Sequence, residues 1–308
     1  MSSQSFEYKF IAVDKCNMCG ASKDQFKVMG KRLNKSQGFN PNSKVGITTT
    51  VIKCRRCNLI FSNPQPVPND IQDHYGVIPE SYWTKEYLET NEQYFEGEIQ
   101  WLKRLINGKS GMKSLDIGAG IGKQMTVLRK AGFDAYGIEP SYSFYDRAIG
   151  KNEISKNKIF NVSIEDADFE ENSFHFISFG AVLEHLHNPS ESIRKAFKWL
   201  RDDGLIHIEV PSSSWLINKI INVVYKSRGL DYVGNISPMH APYHLYEFSL
   251  RSFKENGLQN GFEVHDYAYY VCKTYLNPIF DPILRSVMKT TNTGMQLCVW
   301  LKKRNFNN

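Results

Sequence analysis

The residues most suggestive of chemistry lie in one short segment, residues 115–122. Its three glycines alternate directly after a strand-like run, and the next segment, Lys123–Lys130, has the pattern of a helix. Glycines at a strand-to-helix turn let a ligand lie against bare backbone, with amides and the helix N-terminus directed at it. The segment therefore predicts a ligand-binding loop with the members Asp116, Gly118, Ala119, Gly120 and Gly122.

Two common nucleotide-binding patterns are absent from this segment, which restricts the class of ligand that the loop can bind. The phosphate-loop pattern Gly-x-x-x-x-Gly-Lys-Ser/Thr is absent, and the dinucleotide fingerprint fails because Lys123 stands where its last glycine belongs. Glu139 ends a second strand-like run, 23 residues after Asp116, where an acid typically accepts both hydroxyls of a ribose. A ribose without a pyrophosphate indicates S-adenosylmethionine. The alternative is a tight turn in an unrelated α/β domain.

These two stretches resemble the first two motifs of the class I methyltransferases. Downstream, residues 180–186 with the following Pro189 resemble the Leu-Glu-His…Pro segment of many small-molecule methyltransferases. The resemblance covers most of residues 113–262. It implies a Rossmann-like methyltransferase domain that uses S-adenosylmethionine.

Four of the six cysteines form two Cys-x-x-Cys pairs, each followed by a turn-prone residue, Gly20 or Asn58. Two such loops complete a closed tetrahedral zinc site with four thiolates. A disulfide framework is disfavoured because the N-terminus shows no secretory signal, and a redox motif because neither pair opens a helix of a βαβ unit. We therefore predict a structural zinc ion held by Cys16, Cys19, Cys54 and Cys57. Cys272 and Cys298 are expected in the core.

Strand-like and helix-like runs alternate through the second half of the chain, which predicts a doubly wound, mostly parallel α/β sheet. The expected strands are 112–117, 135–139, 158–162, 174–179 and 205–210, with a turn at 203–204 before the last of them. The expected helices are 123–130, 142–149 and 189–200. The runs 262–270 and 295–302 are expected to add an antiparallel pair, with a helical excursion between them.

Three parts follow from this pattern. Residues 1–64 are interpreted as a zinc-binding module. Residues 65–108 are interpreted as a linker, stiffened by prolines, and a helical cap with a helix at about 92–106. Residues 109–308 form the methyltransferase domain, with an insertion at 212–247. The insertion contains an amphipathic run that is read as a lid over the acceptor, as a surface for a partner or a membrane, or as ordinary packing on the sheet.

Ligands of open α/β sheets bind at the carboxyl ends of the strands, which adds candidates to the cofactor site. Ile164 and Glu165, after the third strand, are expected to read adenine, with a solvated acidic turn as the alternative. Gly180 follows the fourth strand. Tyr82, together with Tyr75 and Trp83, is expected to cap the sulfonium cation with an aromatic face or to form an apolar seal between modules.

Methyl transfer from a sulfonium is an in-line displacement that also requires removal of a proton from the acceptor. A hydroxyl acceptor needs a base whose pKa is near neutrality, which is the range of histidine. His185 and His244 are the candidate catalytic bases, with His240 third. The alternative for His185 is a ring that packs beside the cofactor.

The resemblance extends beyond the catalytic domain. Residues 54–64, 74–76 and 82–83, and residues 242–249 downstream, look like a bacterial subfamily in which a zinc-binding domain precedes the methyltransferase. This implies a small-molecule acceptor, a nucleotide-linked or lipid-linked sugar. Known sugar C-methyltransferases carry a further C-terminal domain, which the sequence up to Asn308 lacks, so O-methylation is favoured over C-methylation.

Two other functions stay open. A zinc-module RNA methyltransferase would suit a basic module, although residues 180–183 lack the Asn/Asp-Pro-Pro-aromatic motif of many base N-methyltransferases. A non-catalytic zinc-binding interaction protein with a cofactor fold is disfavoured by the intact glycines and Glu139. Nucleic acid is therefore not the expected partner.

The charge is concentrated at one end of the chain. Residues 1–64 hold 11 Lys and Arg against 3 Asp and Glu, a net charge of +8, and the remainder holds 27 against 29, a net charge of −2. The basic module could face an acidic partner such as a nucleotide diphosphate, or be partly neutralised by its own thiolates. No apolar run reaches the roughly 18 residues that span a bilayer, so a cytoplasmic protein is expected.

Overall fold

The computed structural model describes residues 8–34, 47–70, 72, 95–106, 111–234, 236–238, 244–274 and 279–304. In chain order, its strands are β1 (Tyr8–Ile11), β2 (Phe26–Asn34), β3 (Ile47–Cys54), β4 (Ile60–Asn63), β5 (Gln65–Pro68), β6 (Lys113–Ile117), β7 (Asp134–Ile138), β8 (Ile159–Phe160), β9 (Phe174–Gly180), β10 (Leu200–Pro211), β11 (Tyr246–Glu247), β12 (Phe262–Tyr270) and β13 (Gln296–Lys303). Its helices are α1 (Glu96–Leu105), α2 (Lys123–Lys130), α3 (Tyr142–Gly150), α4 (Pro189–Trp199), α5 (Leu216–Ser227), α6 (Leu250–Asn260) and α7 (Asp281–Thr291).

The central sheet has seven strands in the order β12-β13-β10-β9-β6-β7-β8. The five strands from β10 to β8 are parallel, whereas β13 and β12 are antiparallel to their neighbours. The chain order reverses on the two sides of β6, so the carboxyl ends of β6, β7 and β9 form a crevice at a topological switch point. The predicted α/β Rossmann-like sheet with an antiparallel end is confirmed.

Both faces of this sheet are covered, because side chains alternate along buried strands. In β9, Phe176 packs in one apolar core with Leu102 of α1 and Met125 of α2, while Ile177 packs in a second core with Ile193 of α4. The four clustered cysteines lie in that second core. The N-terminal module therefore shares its core with the face of the sheet that carries α4 and α6.

The module itself contains a four-stranded antiparallel sheet in the order β11-β4-β3-β2. Its edge strand β11 comes from the end of the insertion that was predicted at 212–247. The proline-rich stretch that was interpreted as the start of a linker is instead strand β5, paired with β1. That interpretation is wrong for residues 65–68, because prolines are tolerated where a strand has an unpaired edge, as in a two-stranded sheet.

The insertion packs on the module through both of its described elements. Asn218 of α5 donates a hydrogen bond to Glu247 of β11 at 2.9 Å, and the backbone N–H of Val233 donates to the carbonyl of Lys31 at 3.0 Å. The outer side of α5 is apolar and open, with Val223 67 % exposed. Ordinary packing therefore accounts for one face of α5 but not for the other.

The helix boundaries follow from local signals. Asn188 caps α4 by accepting from the N–H of Glu191, and Pro189 occupies its first turn. Strand β10 begins at Leu200, earlier than predicted, with a register irregularity between Leu200 and Leu205. The predicted turn at 203–204 is wrong because this irregularity keeps the chain in the sheet. Within the described residues, no helix has the length and apolarity needed to cross a membrane.

Candidate active site

The glycine loop, defined as residues 118–122, connects β6 to α2. Gly118, Gly120 and Gly122 have φ angles of +68°, +55° and +78°, a region that side chains disfavour. A Cβ on Gly118 would also lie 2.4 Å from Cγ2 of Val182, and a Cβ on Gly122 would lie 2.6 Å from Cγ1 of Ile154. Both backbone conformation and close approach thus require glycine. The loop is a bare-backbone cradle, as its sequence predicted.

Glu139 lies beside this loop, immediately after β7. Its Oε2 accepts the N–H of Gly120 at 2.8 Å, and its Oε1 accepts the N–H of Ser141 at 2.8 Å. The side chain is buried, and burial raises the pKa of its carboxyl to about 7. A paired carboxylate with both oxygens at the cradle matches the acceptor that a ribose needs.

Asp116 lies behind the cradle. It is buried on β6, where its Oδ1 accepts from Oγ of Ser178 on β9 at 2.9 Å. Burial raises the pKa of its carboxyl to about 7. Its hydrogen bond joins the two strands whose ends carry the site. Ala119, also buried, donates its N–H to the carbonyl of Ile138 at 2.9 Å and fixes the loop against β7.

The turn after β8 lies next to Glu139. Asn161 donates to the carbonyl of Glu139 at 2.8 Å. Ile164 is buried and apolar, while Glu165 is exposed and its carbonyl accepts from Lys195. The structure thus places Ile164 and Glu165 in the turn after β8, at the edge of the sheet that carries Glu139. Ile164 offers an apolar surface there, and the side chain of Glu165 faces solvent.

Gly180 lies close to Gln124, a residue that the sequence did not single out. A Cβ at this position would lie 3.3 Å from Oε1 of Gln124 on α2. Gln124 is buried, and its Nε2 has no hydrogen-bond partner among the residues that the structure describes. The amide is thus available to hydrogen-bond a water or a polar group of a ligand. Together with the cradle and Glu139, this fits S-adenosylmethionine.

Tyr82, Tyr75, Trp83 and His240 lie outside the described residues, so the predicted aromatic cap and third base stay predictions. Gln72, within the same predicted cap, is described. Its Nε2 donates to the carbonyl of Pro140 at 2.8 Å, and its Oε1 accepts from the N–H of Tyr142 at 3.3 Å. Gln72 therefore lies at the edge of the sheet where Glu139 lies.

The two predicted bases come together with an acid. The rings of His185 and His244 have centroids 4.5 Å apart and lie nearly perpendicular. The N–H of Leu245 donates to the carbonyl of Glu184 at 2.7 Å, which joins the two segments. Donor atoms of Glu184, His185 and His244, named here the histidine cluster, all lie within 4.8 Å of one another.

The side chain of Glu184 is buried, and those of His185 and His244 are half-buried. Nδ1 of His244 shares a hydrogen bond with Oγ of Ser237 at 2.7 Å. Glu184 is 1 % exposed, and burial raises the pKa of its carboxyl to about 8. The N–H of His185 donates to the carbonyl of Val182, the residue that packs on Gly118. The loop that carries Glu184 and His185 thus packs against the cradle through Val182.

Four buried thiols form a second cluster in the N-terminal module. Sγ of Cys16 lies 3.4 Å from that of Cys57, and Sγ of Cys19 lies 3.6 Å from that of Cys54. Four sulfurs around a zinc ion at about 2.3 Å would be separated by about 3.8 Å. All four cysteines are free thiols, so the disulfide alternative does not hold for them. The cysteine cluster is the predicted ligand set.

The turns that form the cysteine cluster are those the sequence indicated. The N–H of Gly20 donates to the carbonyl of Cys16 at 2.8 Å, and that of Asn58 donates to Cys54 at 2.9 Å. Both turn residues have positive φ, which glycine and asparagine tolerate best. Hydrogen bonds with Cys16, Cys19 and Cys57 lower the pKa of the Cys54 thiol. Hydrogen bonds with the other three cysteines raise the pKa of the Cys57 thiol.

Comparisons with known proteins identify the family of the α/β domain. A family model described as a methyltransferase domain matches residues 90–267, more than half of the chain. An uncharacterized protein of Methanocaldococcus jannaschii is 29% identical over 160 residues, which are 51% of this chain and 59% of that protein. Phosphoethanolamine N-methyltransferase 2 of Caenorhabditis elegans is 27% identical over 118 residues, which are 37% of this chain and 27% of that protein.

The chain thus spans about a quarter to three fifths of the length of these curated relatives. Among solved structures, an S-adenosylmethionine-dependent methyltransferase of Mesorhizobium loti aligns with a TM-score of 0.48 at 13% identity. The alignment covers 68% of this chain and 100% of that one. On the strength of the family model, this chain belongs to the methyltransferase-domain family, and its α/β domain is that of an S-adenosylmethionine-dependent methyltransferase.

Proposed function

We propose that the protein transfers a methyl group from S-adenosylmethionine to a hydroxyl of a nucleotide-linked or lipid-linked sugar. The observation that carries this proposal is the pair His185 and His244, whose ring centroids lie 4.5 Å apart, with His185 on the loop whose Val182 packs against Gly118. The resemblance to bacterial sugar methyltransferases supports the sugar, and the basic N-terminal module supports a diphosphate-bearing carrier.

In this proposal, the bound cofactor supplies a methyl group on a sulfonium. The cradle and Glu139 hold its ribose, and Gln124 meets its polar end. The acceptor hydroxyl gives its proton to a ring nitrogen of the histidine pair while its oxygen forms a bond to the methyl carbon. The bond between that carbon and sulfur breaks, leaving a neutral thioether, and the ring later releases its proton to water.

The hydrogen bond between Ser237 and His244 supports a base role for the ring. When Nδ1–H donates to Oγ of Ser237, the lone pair of His244 lies on Nε2. Removing a general base typically costs about 10²- to 10⁴-fold in rate. We expect His185→Ala or His244→Ala to lose that much activity, and His265→Ala, an exposed histidine on β12, to lose none. Full activity in both cluster variants would exclude a base role.

Calorimetry with S-adenosylmethionine tests the donor, and absence of binding at millimolar cofactor would end the proposal. Formation of S-adenosylhomocysteine with nucleotide sugars, a short RNA or phosphoethanolamine then tests the acceptor. Sugar-dependent turnover supports the proposal. Turnover with RNA, or with the amine named in the nematode relative, would replace the sugar by that acceptor.

We also propose that the cysteine cluster holds one structural zinc ion. Four buried sulfurs in two tight turns leave no position for a substrate, which is typical of structural rather than catalytic zinc. A zinc ion with four thiolates has a formal charge of −2 and would lower the charge of the module to about +6. Metal analysis of the purified protein is expected to give at least one zinc per chain.

A further inference from the structure

We propose that Glu184, His185 and His244 form a binding site for a divalent transition-metal ion beside the cofactor cradle. Their donor atoms already lie within 4.8 Å of one another. Nitrogen and oxygen ligands around such an ion, at about 2.1 Å from it, are separated by about 3 to 3.5 Å. Small side-chain rotations would therefore close the three ligands around one ion.

The backbone holds these ligands in place before any ion binds. Glu184 and His185 are consecutive, and the N–H of Leu245, next to His244, donates to the carbonyl of Glu184 at 2.7 Å. The rings of His185 and His244 pack edge to face, with an angle of 85° between their planes. A site of this kind requires little reorganisation, because its two segments are already hydrogen-bonded to each other.

The carboxyl group of Glu184 offers the proposed ion a buried oxygen that has no other partner among the described residues. It is 1 % exposed, and its Oε2 has no hydrogen-bond partner within the described part of the chain. A buried carboxylate oxygen that accepts nothing is costly unless a charge compensates it. The described cationic side chains make no ion pair with it, since the salt bridges of the structure lie elsewhere.

The contact behind His244 is the kind that metal-ligating histidines make. Oγ of Ser237 lies 2.7 Å from Nδ1 and orients the ring. Such outer partners fix the tautomer and raise the basicity of the ligating nitrogen. The hydroxyl of Ser237 would thus direct Nε2 of His244 towards the ion.

The ligand atoms of the histidine cluster favour some metal ions over others. Two imidazoles and one carboxylate suit zinc, manganese or iron rather than calcium, and three protein ligands leave positions open. The cysteine cluster, by contrast, is closed. An open site next to Val182, which packs on Gly118, would place a bound hydroxyl near the methyl donor.

The consequence for catalysis rests on the proposed function. A hydroxyl bound to the ion has a lower pKa and releases its proton to water. The resulting alkoxide attacks the methyl carbon, and the carbon–sulfur bond breaks to give a neutral thioether. With the ion bound, His185 and His244 would be its ligands, and the ion would replace the histidine rings in the proton-removal step of the proposed function, while the donor and the acceptor stay the same.

Equilibrium titration with Mn²⁺, followed by electron paramagnetic resonance, tests the site on the full-length protein. Mn²⁺ is the weakest binder of the divalent series and leaves a thiolate-bound zinc in place. We expect one Mn²⁺ site per chain. Glu184→Gln and His244→Ala should weaken it at least 10-fold, whereas the exposed-residue controls Glu170→Gln and His265→Ala should not.

Ser237→Ala retains all three ligands and should weaken Mn²⁺ binding about 10- to 100-fold, so it keeps the test decisive if a ligand variant does not fold. Equal Mn²⁺ affinity in the wild type and Ser237→Ala, or no Mn²⁺ site in the wild type, overturns the metal site. Calorimetry with S-adenosylmethionine on the same samples is separate. If S-adenosylmethionine did not bind, the proposed function would be excluded, whereas a measured Mn²⁺ site would still stand.

Discussion

The cofactor end and the acceptor end of the sheet edge are built in different ways. The cofactor end, meaning the glycine loop and Glu139, arises from two consecutive strand ends and is closed by local hydrogen bonds. The acceptor end, meaning the histidine cluster, joins residues 59 positions apart through the insertion. The residues of the cofactor end lie in contiguous sequence motifs. Those of the acceptor end come together only through the packing of distant segments.

The N-terminal module contacts mainly the acceptor end. Asn17, between two ligand cysteines, donates to the carbonyl of His187 at 3.0 Å, and the hydroxyl of Tyr246 on β11 donates to the same carbonyl at 2.8 Å. Asn256 of α6 donates to the carbonyl of Met18 at 2.9 Å. The module thus supports the loop that carries His185.

The largest effect is expected from Cys54→Ser, which removes one ligand of the proposed zinc. Because the cysteine cluster lies in the same core as Ile177 and Ile193, its loss should destabilise the whole domain. A loss of about 5 kcal/mol of zinc-binding free energy would lower the Tm by about 10 °C or more. Metal analysis and thermal unfolding measure both effects.

Cys272→Ser is the matched control, since Cys272 lies outside the cysteine cluster and is only half-buried. It should keep its zinc and nearly its full Tm. If Cys54→Ser held as much zinc per chain as the wild type, the cysteine cluster would not be a zinc site. If it lost zinc but kept acceptor turnover, the module would not support the acceptor end.

The next largest effect is expected from Gly118→Ala. The added Cβ would lie 2.4 Å from Cγ2 of Val182, and φ of +68° disfavours any side chain. Since Val182 belongs to the loop that leads to His185, the change should disturb both ends. We expect the affinity for S-adenosylmethionine to fall about 30-fold or more, measured by calorimetry.

Gly97→Ala on α1 serves as the control, because a Cβ there meets nothing within 4 Å and alanine favours a helix. It should bind the cofactor normally. The double variant Gly118→Ala/Val182→Ala removes the clash but not the backbone strain, so it should recover part of the affinity. Undiminished cofactor binding in Gly118→Ala would show that the glycine loop is not the cradle.

The pH dependence of cofactor binding separates the two ends. Burial raises the pKa of Glu139 to about 7, and the ionised form accepts ribose hydroxyls. Affinity should therefore be full at pH 8 and fall as the pH drops through 7, by about 10-fold at pH 6, where about a tenth of the carboxyl is ionised. Titration calorimetry at both pH values measures this change.

Glu139→Gln should bind the cofactor more weakly and lose most of this pH dependence. Glu170→Gln, an exposed acid before β9, should retain it. If the affinity in Glu139→Gln still fell 10-fold between pH 8 and pH 6, the titrating group would lie elsewhere, with the buried Asp116 as the next candidate.

The placement of the glycine loop beside Glu139 could be predicted from the sequence because it follows from local patterns. Alternating glycines require positive φ, and an acid after the next strand must lie beside them in a parallel sheet. The helix from Lys123 to Lys130 was likewise predicted to the residue. Gln124 was missed because nothing in a helical pattern distinguishes a buried glutamine from an exposed one.

The acceptor end was predicted only as separate residues. His185 and His244 were named as candidates, but their contact depends on β11 joining the module sheet, a long-range pairing that no local pattern encodes. Glu184 was visible in the motif, yet its burial and its place in the cluster follow only from tertiary packing. The strand character of the prolines in β5 depends equally on its partner β1.

The smallest effect is expected from Tyr246→Phe, which deletes one of the two hydrogen bonds to the carbonyl of His187. Asn17 still donates to that carbonyl, so the loss should cost only about 1 kcal/mol of unfolding free energy, measured by urea titration. Because the carbonyl belongs to the acceptor loop, turnover should fall several-fold while cofactor affinity stays unchanged. Adding Asn17→Ala leaves the carbonyl without either donor, so the double variant should lose more than the sum of the single losses. Equal losses of cofactor affinity and turnover in Tyr246→Phe would instead mean that the module supports both ends alike.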